Sequence, residues 1–282
     1  REQDVDTDRA AHKKLRALSA NEHKVCQLDH VINGRGVYVD LRSVRRAEKI
    51  VAAKTVKLQK ELQVLTDFAV SRVSEVAKMT RWLREQGLDI EGLAKSTLQK
   101  ALNVTLDPKL RRVLEIRAEG AKASNAKLSK FISGSMADGR IRGLLMYHGA
   151  GTGRWTGMRL QPQNFPRPDE WWTDEAQATY FDMLNRPANA DDVDWERMEM
   201  YLGSVISATS NALRNFICAP KGKVLYAGDF SNIEGRVLAW LAGEAWKLNA
   251  FRAFDRKEGH DLYKITAASI FSMLCGEKVY PA

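Results

Sequence analysis

The chain has 282 residues, 44% of them hydrophobic, in short apolar runs broken by charge. That length suffices for a buried core and more than one domain, and no run approaches the roughly eighteen apolar residues that a membrane crossing needs. A net charge of +9 favours polyanionic partners, while three scattered cysteines (Cys26, Cys218, Cys275) without CxxC spacing argue for reduced thiols and against a zinc site.

Residues 1–20 read as a helix; the first of them are polar and hold no signal-peptide core, so a cytoplasmic location is expected. Asn33-Gly34-Arg35-Gly36 is a turn before a short extended segment, after which Asp40 caps a long helix. Val44, Ile50, Val51, Val56, Leu58, Leu62 and Leu65 recur along it near helical spacing. Shorter helices are expected over 71–86 and 96–102, and Pro108 opens another that the pattern carries to 132. From Lys109 to Arg154 ten Lys/Arg stand against three acids. Such a stripe, with Lys122, Lys127 and Arg140 in it, suits sequence-blind binding of phosphates; a merely solvated helix face is the alternative.

Residues 139–148 read as a strand approaching the glycine-rich Gly149-Ala150-Gly151-Thr152-Gly153 loop. No Gly-Lys-Ser/Thr follows, so the loop is no nucleotide P-loop; its glycines would let backbone approach a ligand closely. Eight carboxylates between Asp169 and Asp194 make 168–200 an acidic insertion that should not lie against a phosphate backbone. A helix over 202–213 leads through the Pro220-Lys221-Gly222 turn into the most informative stretch. There an apolar run of strand length, Val224 to Ala227, ends at Asp229, and a helical pattern follows with Ile233, Val237 and Leu238 on one face. A carboxylate ending a buried strand is a rigid platform at the lip of a cleft, suited to a hard cation such as Mg²⁺. The competing reading makes Asp229 the N-cap of the helix and Glu234 a solvated first-turn acid favoured by the dipole. Helices are expected around Trp240, over 246–254 and over 260–271.

Asp229-Phe230-Ser231-Asn232-Ile233-Glu234-Gly235-Arg236 closely resembles motif A of the family A (DNA polymerase I-like) DNA polymerases, above all the bacteriophage-type members. Upstream, Thr152-Gly153-Arg154 with Gln163-Asn164-Phe165-Pro166 resembles that family's Thr-Gly-Arg and Gln-Asn-x-Pro segments. The resemblance covers nearly the whole chain. It implies template-directed transfer of deoxynucleotides to a primer 3′-hydroxyl with two Mg²⁺ ions, in replication or repair. The Asp229 carboxylate and the Phe230 carbonyl would be metal ligands, and Ser231, Glu234 and Tyr263 would meet the nucleotide. Glu234 would exclude a 2′-hydroxyl. Tyr263 stands where many cellular members have His. Arg154, Thr152, Gln163 and Asn164, with Lys122, Lys127 and Arg140, would contact primer–template DNA.

The implied architecture is α+β and predominantly helical: a partial right hand with a helical thumb and an incomplete palm holding a small antiparallel sheet around Asp229. The expected domains are 1–20, a remnant of an exonuclease-like domain in which Asp4 matches a metal ligand; 21–135, the thumb; 136–239, the first part of the palm; and 240–282, the start of the fingers. Asp4 has no partner carboxylates here and reads as a helix-start residue. The family's later metal aspartate and nucleotide-facing fingers helix are not found, so the chain is expected to be an inactive, monomeric fragment with uncovered apolar surface and no membrane partner. A non-catalytic duplex-binding module and a single-subunit RNA polymerase are the alternatives. The Ile233-Glu234 pair and the Gln163 to Pro166 segment argue against the second.

Overall fold

A computed structural model describes residues 2–15, 17–121 and 126–280. It is mainly helical with short antiparallel strands, and it divides into two compact units, Arg1–Val224 and Leu225–Ala282. No helix among the described residues is long and apolar enough to cross a membrane.

The first unit begins with α1 (Glu2–Lys14) and α2 (Ala20–Arg35). Ser19 caps α2, its side chain accepting from the Glu22 N–H at 3.2 Å. No residue of α2 is buried, so it has no apolar stripe that periodicity could reveal. β1 (Val37–Val39) follows, and Asp40 caps α3 (Leu41–Leu65) through the Ser43 N–H, as the sequence predicts. α4 (Val76–Glu85) and α5 (Lys95–Val104) fall within or beside the expected ranges. α6 (Pro108–Gly120) is shorter than the pattern suggests: it stops at Gly120, and a separate α7 (Lys127–Gly134) follows. The expected continuation over 122–125 lies outside the described residues.

The strand expected over 139–148 is instead two fragments in two sheets. β2 (Arg140–Ile141) and β5 (Ile217–Cys218) flank β1, with Tyr38 opposite both Arg140 and Cys218. β3 (Leu145–Met146) pairs instead with β4 (Thr156–Gly157) in a hairpin across the glycine-rich loop. Between them Gly143 has φ +65°, a conformation that turns the chain out of the first sheet.

The acidic insertion folds as α8 (Asp174–Asn185) and α9 (Trp195–Leu202), followed by α10 (Val205–Ala212). Tyr180, Leu184, Val193 and Met198 are buried, so the insertion is part of the core. Its polar side faces α3: Lys49 meets Asp191, Lys57 meets Glu196, and the buried Arg46 donates to the Leu184 and Ala188 carbonyls at the α8 C-terminus. An edge-on chain of rings, Phe131–Phe216–Phe181–Tyr180–Trp172, runs through the core with neighbouring centroids 5.2–6.0 Å apart.

In the second unit α11 (Ile233–Leu241), α12 (Ala245–Asp255) and α13 (Leu262–Cys275) match the predicted helices. The predicted strand ahead of α11 is not there. Residues 223–230 hold neither helix nor strand, are exposed and lie outside both sheets; Tyr226 is 94% and Phe230 79% exposed. The sheet expected around Asp229 is therefore absent from the described residues. A strand is stable only with a ladder partner and a buried face, and no described segment supplies either. Ile233, Val237 and Leu238 of α11 are likewise exposed.

Lys54 is the most deeply placed lysine of α3, only 8% exposed, with its ammonium 2.8 Å from Glu199 of α9 and 3.6 Å from Glu119 of α6. Glu119 also accepts from Ser204 Oγ at 2.6 Å, and Glu199 from the Val205 N–H at 3.2 Å, which ties α3, α6, α9 and the start of α10 to one cation. Removing the ammonium leaves two carboxylates facing each other with little water. Lys54→Ala is expected to lower unfolding free energy by about 3 kcal/mol, measured by thermal or urea unfolding. A change under about 0.5 kcal/mol would show that water replaces the cation at no cost.

Candidate nucleic-acid interface and motif A segment

In the first unit the structure gathers several of the predicted contact residues around one turn. After β4 the chain makes a single 3₁₀ turn, Pro162–Asn164, entered through Gln161 in the left-handed region (φ +51°). Asn164 donates to the Gln161 side chain at 3.0 Å, and Gln161 donates to the Gly157 carbonyl at 3.1 Å. The Gln163 side chain lies directly over Gly157, so that a Cβ at 157 would stand 1.5 Å from its side-chain nitrogen and would push that side chain aside. Gln163 and Asn164 are exposed, while Phe165 beside them is buried and its ring centroid is 5.7 Å from that of Phe131. Lys127 of α7 donates to the Leu160 carbonyl at 3.3 Å, its ammonium 5.9 Å from the Phe165 ring centre. Arg214 holds the far side, donating to the Phe165 and Pro166 carbonyls at 2.9 and 3.3 Å. Two polar side chains are thus displayed on a turn fixed from three directions. Sequence reasoning missed Arg214, which follows α10 directly and has no motif around it.

Thr152 and Arg154 are exposed on the turn of the β3–β4 hairpin, which is closed by Gly153 N–H to Ala150 O and Ala150 N–H to Arg154 O. Behind the hairpin, the Asn33 side chain of α2 pairs with both backbone groups of Leu145, donating to its carbonyl at 2.8 Å and accepting from its N–H at 3.0 Å. Asn33 thus substitutes for a missing strand partner, another residue the sequence reading did not single out.

The basic run does not form the open stripe expected from composition. Arg140 turns back to the Arg35 and Gly36 carbonyls at the end of α2, and Arg142 grips Asp138. Arg112 pairs with Glu61, Arg111 with Glu115, Lys109 with Asp67, and Arg117 donates to the Val73 carbonyl. Burial lowers the pKa of Arg117, whereas the Glu61 carboxylate raises that of Arg112. Most of these cations are engaged inside the chain, several of them by partners remote in sequence that spacing alone cannot show. Lys122 lies outside the described residues. Asp4 is exposed in the first turn of α1, as a helix-start residue would be.

In the second unit Asp229 is exposed in a stretch without helix or strand. It is not the N-cap of α11: Asn232 is, in the left-handed region (φ +53°) and without a side-chain capping bond. Ser231 and Glu234 are exposed, Glu234 in the first turn of α11. Arg236 organises the segment. It donates to the Ser231 carbonyl at 2.8 Å, makes a two-pronged pair with Asp255 at 2.7 and 2.8 Å, and stacks 4.6 Å above the Phe251 ring. Asp255 raises the Arg236 pKa, and its own is lowered in return. Tyr263 is exposed in the first turn of α13, its N–H held by Asp261.

Among the described residues no group of three or more His, Cys, Asp or Glu side chains could hold a metal ion. Asp229 offers one carboxylate and the Phe230 carbonyl one further oxygen, so these residues do not by themselves fit a preformed Mg²⁺ cage of six oxygens.

No protein-family model matches the sequence, and no solved structure matches it. Among curated proteins, a DNA polymerase of Bacillus phage SP02 is 33% identical over 274 residues, which are 96% of this chain and 40% of that protein. The chain resembles a phage polymerase. It spans about two fifths of that relative's length.

Arg142 donates to Asp138 from two nitrogens and holds its carboxyl down at about 2, below the ordinary 3.8. A depressed acid contributes stability above 3.8 that is lost as pH falls through about 2. Asp138→Asn is expected to flatten the melting temperature against pH over that interval and leave it unchanged in slope near neutrality. An acid limb as steep as the wild type's would exclude the pair as its source.

Proposed function

We propose that this chain contributes thumb and palm elements to a template-directed DNA polymerase of the DNA polymerase I-like family, acting on primer–template DNA and deoxynucleoside triphosphates. The observation that carries the reading is the Asp229 to Arg236 segment, held at the entry to α11 by the Arg236–Asp255 clasp. The 33% identity to a phage DNA polymerase supports it. On this reading residues 21–135 act as thumb, 136–239 as the first part of the palm and 240–282 as the start of the fingers. Residues 1–20 are then the remnant of an exonuclease-like domain, with Asp4 a helix-start residue.

Each residue's role follows from its chemistry. The Arg154 guanidinium offers a planar fork of donors to minor-groove acceptors that every base pair displays, so it senses pairing geometry and not sequence. Gln163 and Asn164 present amide donors and acceptors on a braced turn, where a misplaced primer end cannot drag them along. Thr152, exposed on the hairpin turn, and Lys127, whose ammonium also braces the Leu160 carbonyl, would meet backbone phosphates. Glu234, in the first turn of α11, would exclude a ribose 2′-hydroxyl by its bulk, and Ser231 and Tyr263 would flank the nucleotide. Magnesium, when bound, supplies Lewis-acid stabilisation of the charge that develops on the transferred phosphoryl group. Asp229 would hold it together with donors that the described residues do not provide. One carboxylate cannot clamp two cations, so the chain by itself is expected to bind DNA without extending a primer.

The purified chain should bind a labelled primer–template in a salt-sensitive, sequence-independent way. Three phosphate contacts would weaken binding roughly 40-fold between 50 and 200 mM salt. Arg154→Ala should cost about tenfold at every sequence tested. No duplex binding at low salt would sink the proposal, as would a strong preference for one sequence. In the context of an active polymerase, Asp229→Asn should abolish extension, whereas Glu234→Ala should retain it and admit ribonucleotides.

A further inference from the structure

The β3–β4 hairpin carries an aromatic cluster that is open on one side and fastened on the other. The Tyr147 and Trp155 ring centroids are 5.3 Å apart at 60°, and His148 lies 6.0 Å from Tyr147. Trp155 remains 37% exposed. The Tyr147 hydroxyl donates to the Glu22 carboxylate of α2, which raises the tyrosine's pKa. The Asn33 pairing with Leu145 pins the strand that carries Tyr147 to the same helix. The rings are therefore oriented before any ligand arrives.

Charge defines what such a surface accepts. From Gly139 to Pro168 there is no Asp or Glu, and there are five arginines. Arg140 and Arg142 are engaged on backbone carbonyls and Asp138. Arg154 directly precedes Trp155 and Arg159 follows it by four residues; both are exposed. A braced aromatic face, with exposed arginines close to it in sequence and no Asp or Glu in the same stretch, suits a polyanion whose units carry flat rings. Bases inside a duplex already stack on their neighbours, so an open indole face takes an unpaired one.

We infer that the hairpin is a stacking platform for an unpaired base of single-stranded nucleic acid, with Trp155 as the stacking face, Tyr147 as its brace and Arg154 and Arg159 on the flanking phosphates. This deepens the reading above and shares its premise that the ligand is a polynucleotide. It adds a single-strand site to the duplex contacts.

Fluorescence anisotropy with two labelled oligodeoxynucleotides of about twelve residues tests it. One is oligothymidylate; the other has the same phosphates but abasic sugars. The wild type should prefer oligothymidylate by about tenfold, the contribution of one stacked base. Trp155→Ala should erase that preference and leave affinity for the abasic strand unchanged, while Trp155→Phe keeps most of it. Equal affinity of the wild type for both strands overturns the inference. So does an equal loss on both strands in Trp155→Ala, which would mark a structural role for the indole. If either result comes with intact primer–template binding, only the platform falls; failure of the wild type to bind any of these nucleic acids removes both readings.

Discussion

The first unit depends on burial of one face of α3. This helix of 25 residues has an apolar stripe from Val44 to Leu62 that is too long for any single neighbour, and α6, α7, α8 and α10 all pack against it. Covering the stripe brings together segments that are remote in sequence. The acidic insertion docks there because its carboxylates and helix end meet the cations of α3, at Lys49, Lys54, Lys57 and Arg46. The insertion's composition, which argues against contact with phosphates, is thus explained by intramolecular pairing. Those ion pairs are mostly exposed and individually weak, so Tyr180, Leu184 and Met198 supply the main attachment and Lys54 the specificity of register.

Two recognition elements are then built in opposite ways. The turn bearing Gln163 and Asn164 is braced by Lys127, Arg214 and the Phe165–Phe131 contact, and the hairpin bearing Arg154 is pinned by Asn33. These loops are rigid because backbone carbonyls that would otherwise face water are satisfied by side chains from distant elements. Among the described residues no side chain braces the segment bearing Asp229 on its N-terminal side in this way. Arg236 takes the Ser231 carbonyl, and the apolar residues before that point face solvent.

Much of this was legible in the chain itself. Asp40 followed by helical periodicity, Pro108 at a helix start and the Ile233 to Leu238 pattern specify helices through local rules of capping and spacing that need no tertiary partner. Helix α2 was invisible because it buries nothing. The basic run misled because the partners of its cations, such as Glu61 for Arg112 and the α2 carbonyls for Arg140, lie far away in sequence. The resemblance to polymerase motifs located the chemistry-bearing residues but not their surroundings, since a motif records side chains and not the ladder that supports them.

The amino-acid sequence determined where α3 and α6 start, where the helices of the second unit fall, the net positive charge and the positions of Arg154, Gln163, Asn164, Asp229 and Glu234, because each follows from local backbone preference or residue identity. Only the tertiary structure decided which cations are spent internally, that Asn33 and Arg214 hold the recognition loops, and that residues 223–230 lie outside any sheet. A strand exists only through hydrogen bonds to another segment, and a charge is available only if no partner folds onto it; both conditions depend on the rest of the molecule.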